Sequence, residues 1–75
     1  MELKFPIHFQ EKIIERGIDV DQIKQTIRKP DYQTSKPENR ILVRKKVGDR
    51  TLEVVYAKGG SKNKFIIITA YYLGK

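Results

Sequence analysis

The residue types in this chain that could carry chemistry are one histidine, a spread of arginines and lysines, and three hydroxyls near the C-terminus. His8, the only histidine, stands in "FPIHFQEKIIERGIDVDQI", just after Phe5-Pro6-Ile7, where a helix could begin. Histidine is the side chain that titrates near neutrality, so it suits proton transfer as base or acid. Arg40, Arg44 and Lys46 fall at even positions of one segment, and Thr69, Tyr71 and Tyr72 close the last one. Such a set permits metal-independent RNA cleavage, without demanding it. In that reaction a 2′-hydroxyl loses a proton and attacks the adjacent phosphorus, and the 5′-oxygen leaves with a proton supplied to it. His8 would be the general base or acid. Arg40, Arg44 or Lys46 would hold the phosphate, because fixed positive charge on the crowded phosphorane oxygens is best supplied by arginine. Thr69 or Tyr71 would orient the scissile group or supply a proton. Lys12, four residues after His8, falls on the same side of a helix, so one phosphate could meet both.

Composition sets the limits around these residues. Seventy-five residues make one domain, spanning 1–75, and a chain this short buries only about 60% of its unfolded surface. Cysteine is absent, which excludes disulfides, thiolate metal sites and a cysteine nucleophile, and leads us to expect a cytoplasmic protein. The apolar run Phe65 to Leu73 is far below the roughly 18 residues of a membrane span, so no membrane partner is expected. One histidine and scattered carboxylates make no metal cluster, and no phosphate-binding or dinucleotide glycine motif is present. No metal and no cofactor are therefore expected. Sixteen Lys and Arg against nine Asp and Glu give a formal charge of +7. Such a field attracts polyanions, nucleic acid foremost; the same charge also serves solubility or surface ion-pair networks.

The spacing predicts the elements that must position these groups. Residues 8–16 read as a short helix with Phe9, Ile13 and Arg16 on one stripe and Gly17 as its stop. A second helix starts at Asp19, with Gln22 completing a capping box and Ile18 and Ile23 at the staple positions. Val20, Ile23 and Ile27 form its buried stripe, and Pro30 ends it. "DYQTSKPEN" (31–39) reads as an irregular connection holding a short edge strand near Tyr32 to Thr34. "RILVRKKVGDRTLEVVYA" (40–57) reads as a hairpin turning at Gly48-Asp49, with glycine at the first central position. That turn sets Val47 opposite Arg50, Lys45 opposite Leu52, Val43 opposite Val54 and Ile41 opposite Tyr56, a mainly apolar face for the helices. The other face is basic, with Arg44 opposite Glu53. "KGGSKN" (58–63) is a flexible basic loop, and "KFIIITAYYL" (64–73) reads as a central strand. The expected fold is α+β, two N-terminal helices on one face of a three- to four-stranded antiparallel sheet.

Each candidate also has a structural reading. His8 could be a surface or packed helix-start residue. Arg16 could cover apolar surface and bond the first helix's last carbonyls. Arg44 could simply pair with Glu53. Thr69 is an ordinary strand residue, and Tyr71 or Tyr72 could be packed.

"HFQEKIIERGI" (8–18), the capped helix ending "IRKP" (27–30) and the strand "IIITAYY" (66–72) together resemble a family of small uncharacterised domains. Those domains read His, an Arg four residues later, then Arg-Gly-Ile, with a terminal Thr–aromatic strand. They are grouped with the barnase–EndoU–colicin–RelE-like nucleases, and the resemblance covers nearly the whole chain. It implies a single RelE-like domain, a toxin-like endoribonuclease with RNA as substrate, and a cognate antitoxin-like protein as partner. By the same resemblance His8 matches the helix-start histidine, Arg16-Gly17-Ile18 is retained, and Thr69 and Tyr71 fall at the terminal-strand position. Lys12 replaces the usual Arg, keeping the charge and losing the bidentate fork. The expected catalytic set is thus His8, Arg44, Thr69 and Tyr71, with Lys12, Arg40, Lys46, Lys62 and Lys64 binding RNA. A binding module without catalysis, for RNA or a protein partner, is the alternative on the same scaffold.

Overall fold

Two helices form early in the chain, each with an identifiable start and stop. In the computed structural model, which describes residues 1–74, α1 spans Ile7–Glu15 and follows Pro6 at its N-cap. Its end is a Schellman turn: Gly17 N–H donates to the Ile14 carbonyl and Ile18 N–H to that of Ile13, with Gly17 at φ 62°. Helix α2 spans Val20–Arg28, and the Asp19 side chain accepts the Asp21 N–H at 2.8 Å. Two details differ from the sequence reading. Gln22 does not complete a capping box; its side-chain carbonyl accepts the Tyr72 hydroxyl at 2.6 Å instead. Val20 lies at the exposed outer end of α2, and Thr26 takes a buried place, its hydroxyl donating to the Gln22 carbonyl at 2.7 Å. A threonine can be buried there because bonding the preceding turn satisfies its hydroxyl.

The sheet has five strands, not three or four, and is mixed, not purely antiparallel. They are β1 (Glu2–Lys4), β2 (Tyr32–Lys36), β3 (Arg40–Val47), β4 (Arg50–Lys58) and β5 (Lys64–Leu73), in spatial order β1-β5-β4-β3-β2. β1 pairs with β5 in parallel, Leu3 opposite Phe65, and the other pairs are antiparallel. Three residues are too few to show an alternating pattern, and their partner lies at the far end of the chain, so β1 leaves no local signal. The 31–39 segment is likewise more ordered than expected: all of Tyr32–Lys36 pairs with β3, and Glu38 and Asn39 (φ 65° and 61°) close the turn. The β3–β4 hairpin has the expected register throughout, with Gly48 at φ 65°.

That register sorts side chains between two faces. Helix α2 packs on β3 and β4, and α1 on β5, over a core of Phe9, Ile23, Val43, Leu52, Val54 and Ile67 and their neighbours. Between Val55 and Tyr56 the pairing with β5 shifts by one residue, so Ile68 has no opposite number. The bulge keeps Phe65, Ile67, Ala70 and Tyr72 all on the helix side. β5 is central only over Lys64–Ile66, where β1 covers it; beyond Ile66 its outer edge has no strand partner. Lys45, on the helix face, donates to the Lys29 carbonyl at 3.0 Å and closes the end of α2. No helix among the described residues is long and apolar enough to cross a membrane.

Candidate functional site

The face of the sheet away from the helices carries most of the candidate residues in ordered rows. Because side chains alternate along each strand, residues opposite one another line up across it. One row reads Tyr32, Arg44, Glu53, Tyr71 from β2 to β5. Glu53 is its node. Arg44 Nε donates to Glu53 Oε1 at 2.8 Å, the Tyr71 hydroxyl donates to Glu53 Oε2, and the Arg44 guanidinium lies 5.3 Å from the Tyr32 ring centroid. Glu53 is only 5% exposed. Burial pushes its carboxyl up, but the hydrogen bonds from Tyr71 and Arg44 and the charges of Arg44 and Lys36 outweigh this. The carboxyl is held below its ordinary value. The bond to Glu53, burial and the carboxylate's charge together push the Tyr71 hydroxyl up, against the opposing pull of Arg44 and Arg16. Tyr71 is therefore a protonated donor committed to Glu53. Arg44 spends only Nε here, and its side chain is 43% exposed, which leaves its terminal amino groups for an anion.

A second group borders this face at the β5 edge. Counted from His8 at about 100° per residue, Lys12 lies about 40° and Arg16 about 80° round α1, next to Phe9 at about 100°. Phe9 is buried against the core, so these three cationic or titratable residues form the flank beside it. Arg16 fixes which way that flank faces: its Nη1 donates to the Ala70 carbonyl at 2.9 Å, and its guanidinium lies 6.0 Å from both the Phe9 and Tyr71 ring centroids. Arg16 therefore does not bond the last carbonyls of α1, as the sequence suggested; it covers the open edge of β5. Since the chain leaves β1 beside Ile66 and Arg16 meets Ala70, α1 runs along that edge between those points.

The structure thus brings some expected site residues together and keeps others apart. Arg44 and Tyr71 meet through Glu53; Thr69 shares their face two residues earlier, opposite Val55. His8 is exposed on α1, in the helix layer, and no hydrogen bond or ion pair joins it to them among the described residues. Lys12 pairs with Glu15 at 3.5 Å, and Arg40 with Glu38 at 3.8 Å. Lys46 lies at the hairpin end of the open face, while Lys62 and Lys64 lie at the opposite end of the sheet. Sequence reasoning paired Arg44 with Glu53 and missed Tyr71 as the third member. The bulge in β5 hides that register, since straight counting across β4 and β5 is off by one beyond it. The bond from Arg16 to Ala70 had no sequence signal, because it depends on how α1 lies along β5.

These features define a small basic α+β domain: two helices on one side of a mixed five-stranded sheet, and a polar, cation-bearing face on the other. The chain belongs to the family described as a domain of unknown function, DUF4258, whose model matches residues 6–72. No curated protein and no solved structure matches the chain.

Proposed function

We propose that this protein is a RelE-like, metal-independent endoribonuclease, the toxin-like member of a two-component pair, acting on RNA held at the border of α1 and β5. The observation that carries the reading is the alignment of His8, Lys12 and Arg16 along one flank of α1, with Arg16 anchored on Ala70 beside Tyr71. His8 exchanges a proton with the RNA, as base at the 2′-hydroxyl or as acid at the 5′-oxygen, and solvent serves the other oxygen. The 2′-oxygen bonds to phosphorus and the bond from phosphorus to the 5′-oxygen breaks, leaving a cyclic phosphate and a 5′-hydroxyl. Lys12 and the terminal amino groups of Arg44 supply positive charge. Thr69 orients the scissile group, a role open to it because Tyr71 is occupied by Glu53. The partner in the pair is an antitoxin-like protein that masks the cationic surface.

A second reading, a binding module without catalysis, is favoured by one specific observation: Glu53 engages both Arg44 and Tyr71, and neither is bonded to His8. Incubation with mixed RNA in chelator, beside a His8→Ala variant, separates the two. Cleavage by the parent that disappears in the variant supports the enzyme; RNA binding without cleavage by either supports the module.

A further inference from the structure

The open face of the sheet has a layout that extends well beyond the Arg44 and Thr69 used by the cleavage reading. Beyond the Tyr32–Arg44–Glu53–Tyr71 row lies a second row, Thr34, Leu42, Val55 and Thr69. Leu42 is 7% exposed although it stands outside the core beneath the helices, so its neighbours already cover it. The half-buried Thr34, Val55 and Thr69 form the low, mixed floor that the row leaves open. The next row begins with Lys36 and Arg40 and continues through Ala57 and Ile66 to Lys4. Behind Lys36 and Arg40 a cleft of about 620 Å³ is lined also by Glu38, Asn39 and Lys58. Across the whole face Lys4, Lys36, Arg40, Arg44, Lys46 and Lys64 stand against Glu2, Glu53 and, at the β2–β3 turn, Glu38. Glu53 is already paired with Arg44, and Glu38 lies 3.8 Å from Arg40. Tyr32, at the outer margin, is half exposed, with Arg44 against its ring.

We infer that this face is a platform for a single-stranded polynucleotide, with Tyr32 stacking a base, the half-buried Val55 and Thr69 lying under its neighbours, and Lys36 and Arg40 holding phosphates beside the cleft. The inference rests on the reading that RNA is the ligand, and names its form. Charge alone would accept a duplex as readily. An exposed tyrosine beside a low, uncharged floor offers surfaces that only unpaired bases have faces to fill, because a duplex buries those faces in its own stack. Arginine against the tyrosine ring leaves the ring's other face for a base and places a cation near the adjoining phosphate. The ends of the floor differ: Arg44 is bound at 2.8 Å by the buried Glu53, whereas Arg40 meets only the exposed Glu38 at 3.8 Å. Lys36 has no ion-pair partner among the described residues, so the Lys36–Arg40 end is the stronger phosphate anchor.

The test measures fluorescence anisotropy of a labelled single-stranded 2′-O-methyl RNA, which 2′-attack cannot cleave, and of the same strand annealed to its complement. A DNA strand of the same sequence is a third probe. The single strand, as RNA or DNA, is expected to bind at least tenfold more tightly than the duplex. Tyr32→Ala should weaken single-strand binding about tenfold and Tyr32→Phe hardly at all, since stacking uses the ring and not the hydroxyl. Removing Lys36 and Arg40 together should flatten the salt dependence, the log–log slope becoming shallower by about 0.7 for each phosphate no longer neutralised. Melting curves of every variant exclude unfolding as the cause. Equal affinity for duplex and single strand, or Tyr32 and Lys36/Arg40 variants that bind like the parent, would overturn the platform while leaving an RNA-acting enzyme intact. No binding to any probe would sink both. Tight single-strand binding with no cleavage of ordinary RNA would keep the platform and remove the enzyme.

Discussion

Tyr71 and Glu53, opposite one another on β5 and β4, share a hydrogen bond in which the phenol donates to the carboxylate. The Arg44 guanidinium holds the other carboxylate oxygen, and that of Arg16 lies 6.0 Å from the Tyr71 ring centroid. A buried charge is tolerated here because both of its oxygens are bonded and one partner is cationic. The same bonds that make Glu53 acceptable hold Arg44 and Tyr71 in place on the face where RNA is proposed to lie.

Removing the carboxylate charge should therefore cost stability. Glu53→Gln keeps the shape but loses the charge-assisted bond, and we expect a loss of about 1.5–3 kcal/mol, the range for charged hydrogen bonds. In a domain of this size that is a drop of several degrees in Tm, since each kcal/mol shifts Tm by about 4–8 °C. A variant melting with the parent would show that the row contributes nothing to folding.

The same carboxyl predicts a pH dependence. Its folded value is depressed below the ordinary 4.5, so the unfolded chain takes up the proton first as pH falls. Its stabilisation is complete above about pH 5.5, one unit beyond the ordinary value, and is lost as pH falls through the lower folded value. The difference in Tm between parent and Glu53→Gln should shrink steadily on acidification. A difference that stays constant down to strongly acidic pH would contradict the assigned direction.

Gly17→Val tests the turn between the helices. Its φ of 62° is a region a β-branched residue resists, while a Cβ there meets nothing within 4 Å, so the cost is conformational and not steric crowding by neighbours. We expect about 1–2 kcal/mol of destabilisation by urea unfolding, with less for Gly17→Asn, which tolerates the left-handed region better. Equal stability of all three proteins would show that the turn relaxes freely.

His8→Ala should leave Tm within about 2–4 °C of the parent, because an exposed side chain without a bonded partner contributes under about 0.5 kcal/mol. RNA affinity should also hardly change, since binding is driven by the cationic groups and falls steeply with salt. The proposed cleavage is expected to vanish. A marked fall in Tm with cleavage unchanged would make the histidine structural and remove it from the mechanism.

What the sequence by itself determined is local. Asp19 and Gly17 set one helix start and one helix stop, each through its own backbone conformation. Gly48-Asp49 set the β3–β4 register, and with it Arg44 opposite Glu53, because a two-residue turn leaves no freedom in the pairing. The placement of helices on the Val43–Leu52–Val54 face followed from the alternation of that hairpin. The tertiary structure alone decided the pairings between distant segments. β1 on β5, Gln22 on Tyr72, Arg16 on Ala70 and Tyr71 on Glu53 join residues at least 18 positions apart. None of these has a periodic signature. Each depends on the pairing of strands from opposite ends of the chain, on how a helix lies along a strand, or on a one-residue bulge that shifts every side chain beyond it, and those follow from packing of the whole core.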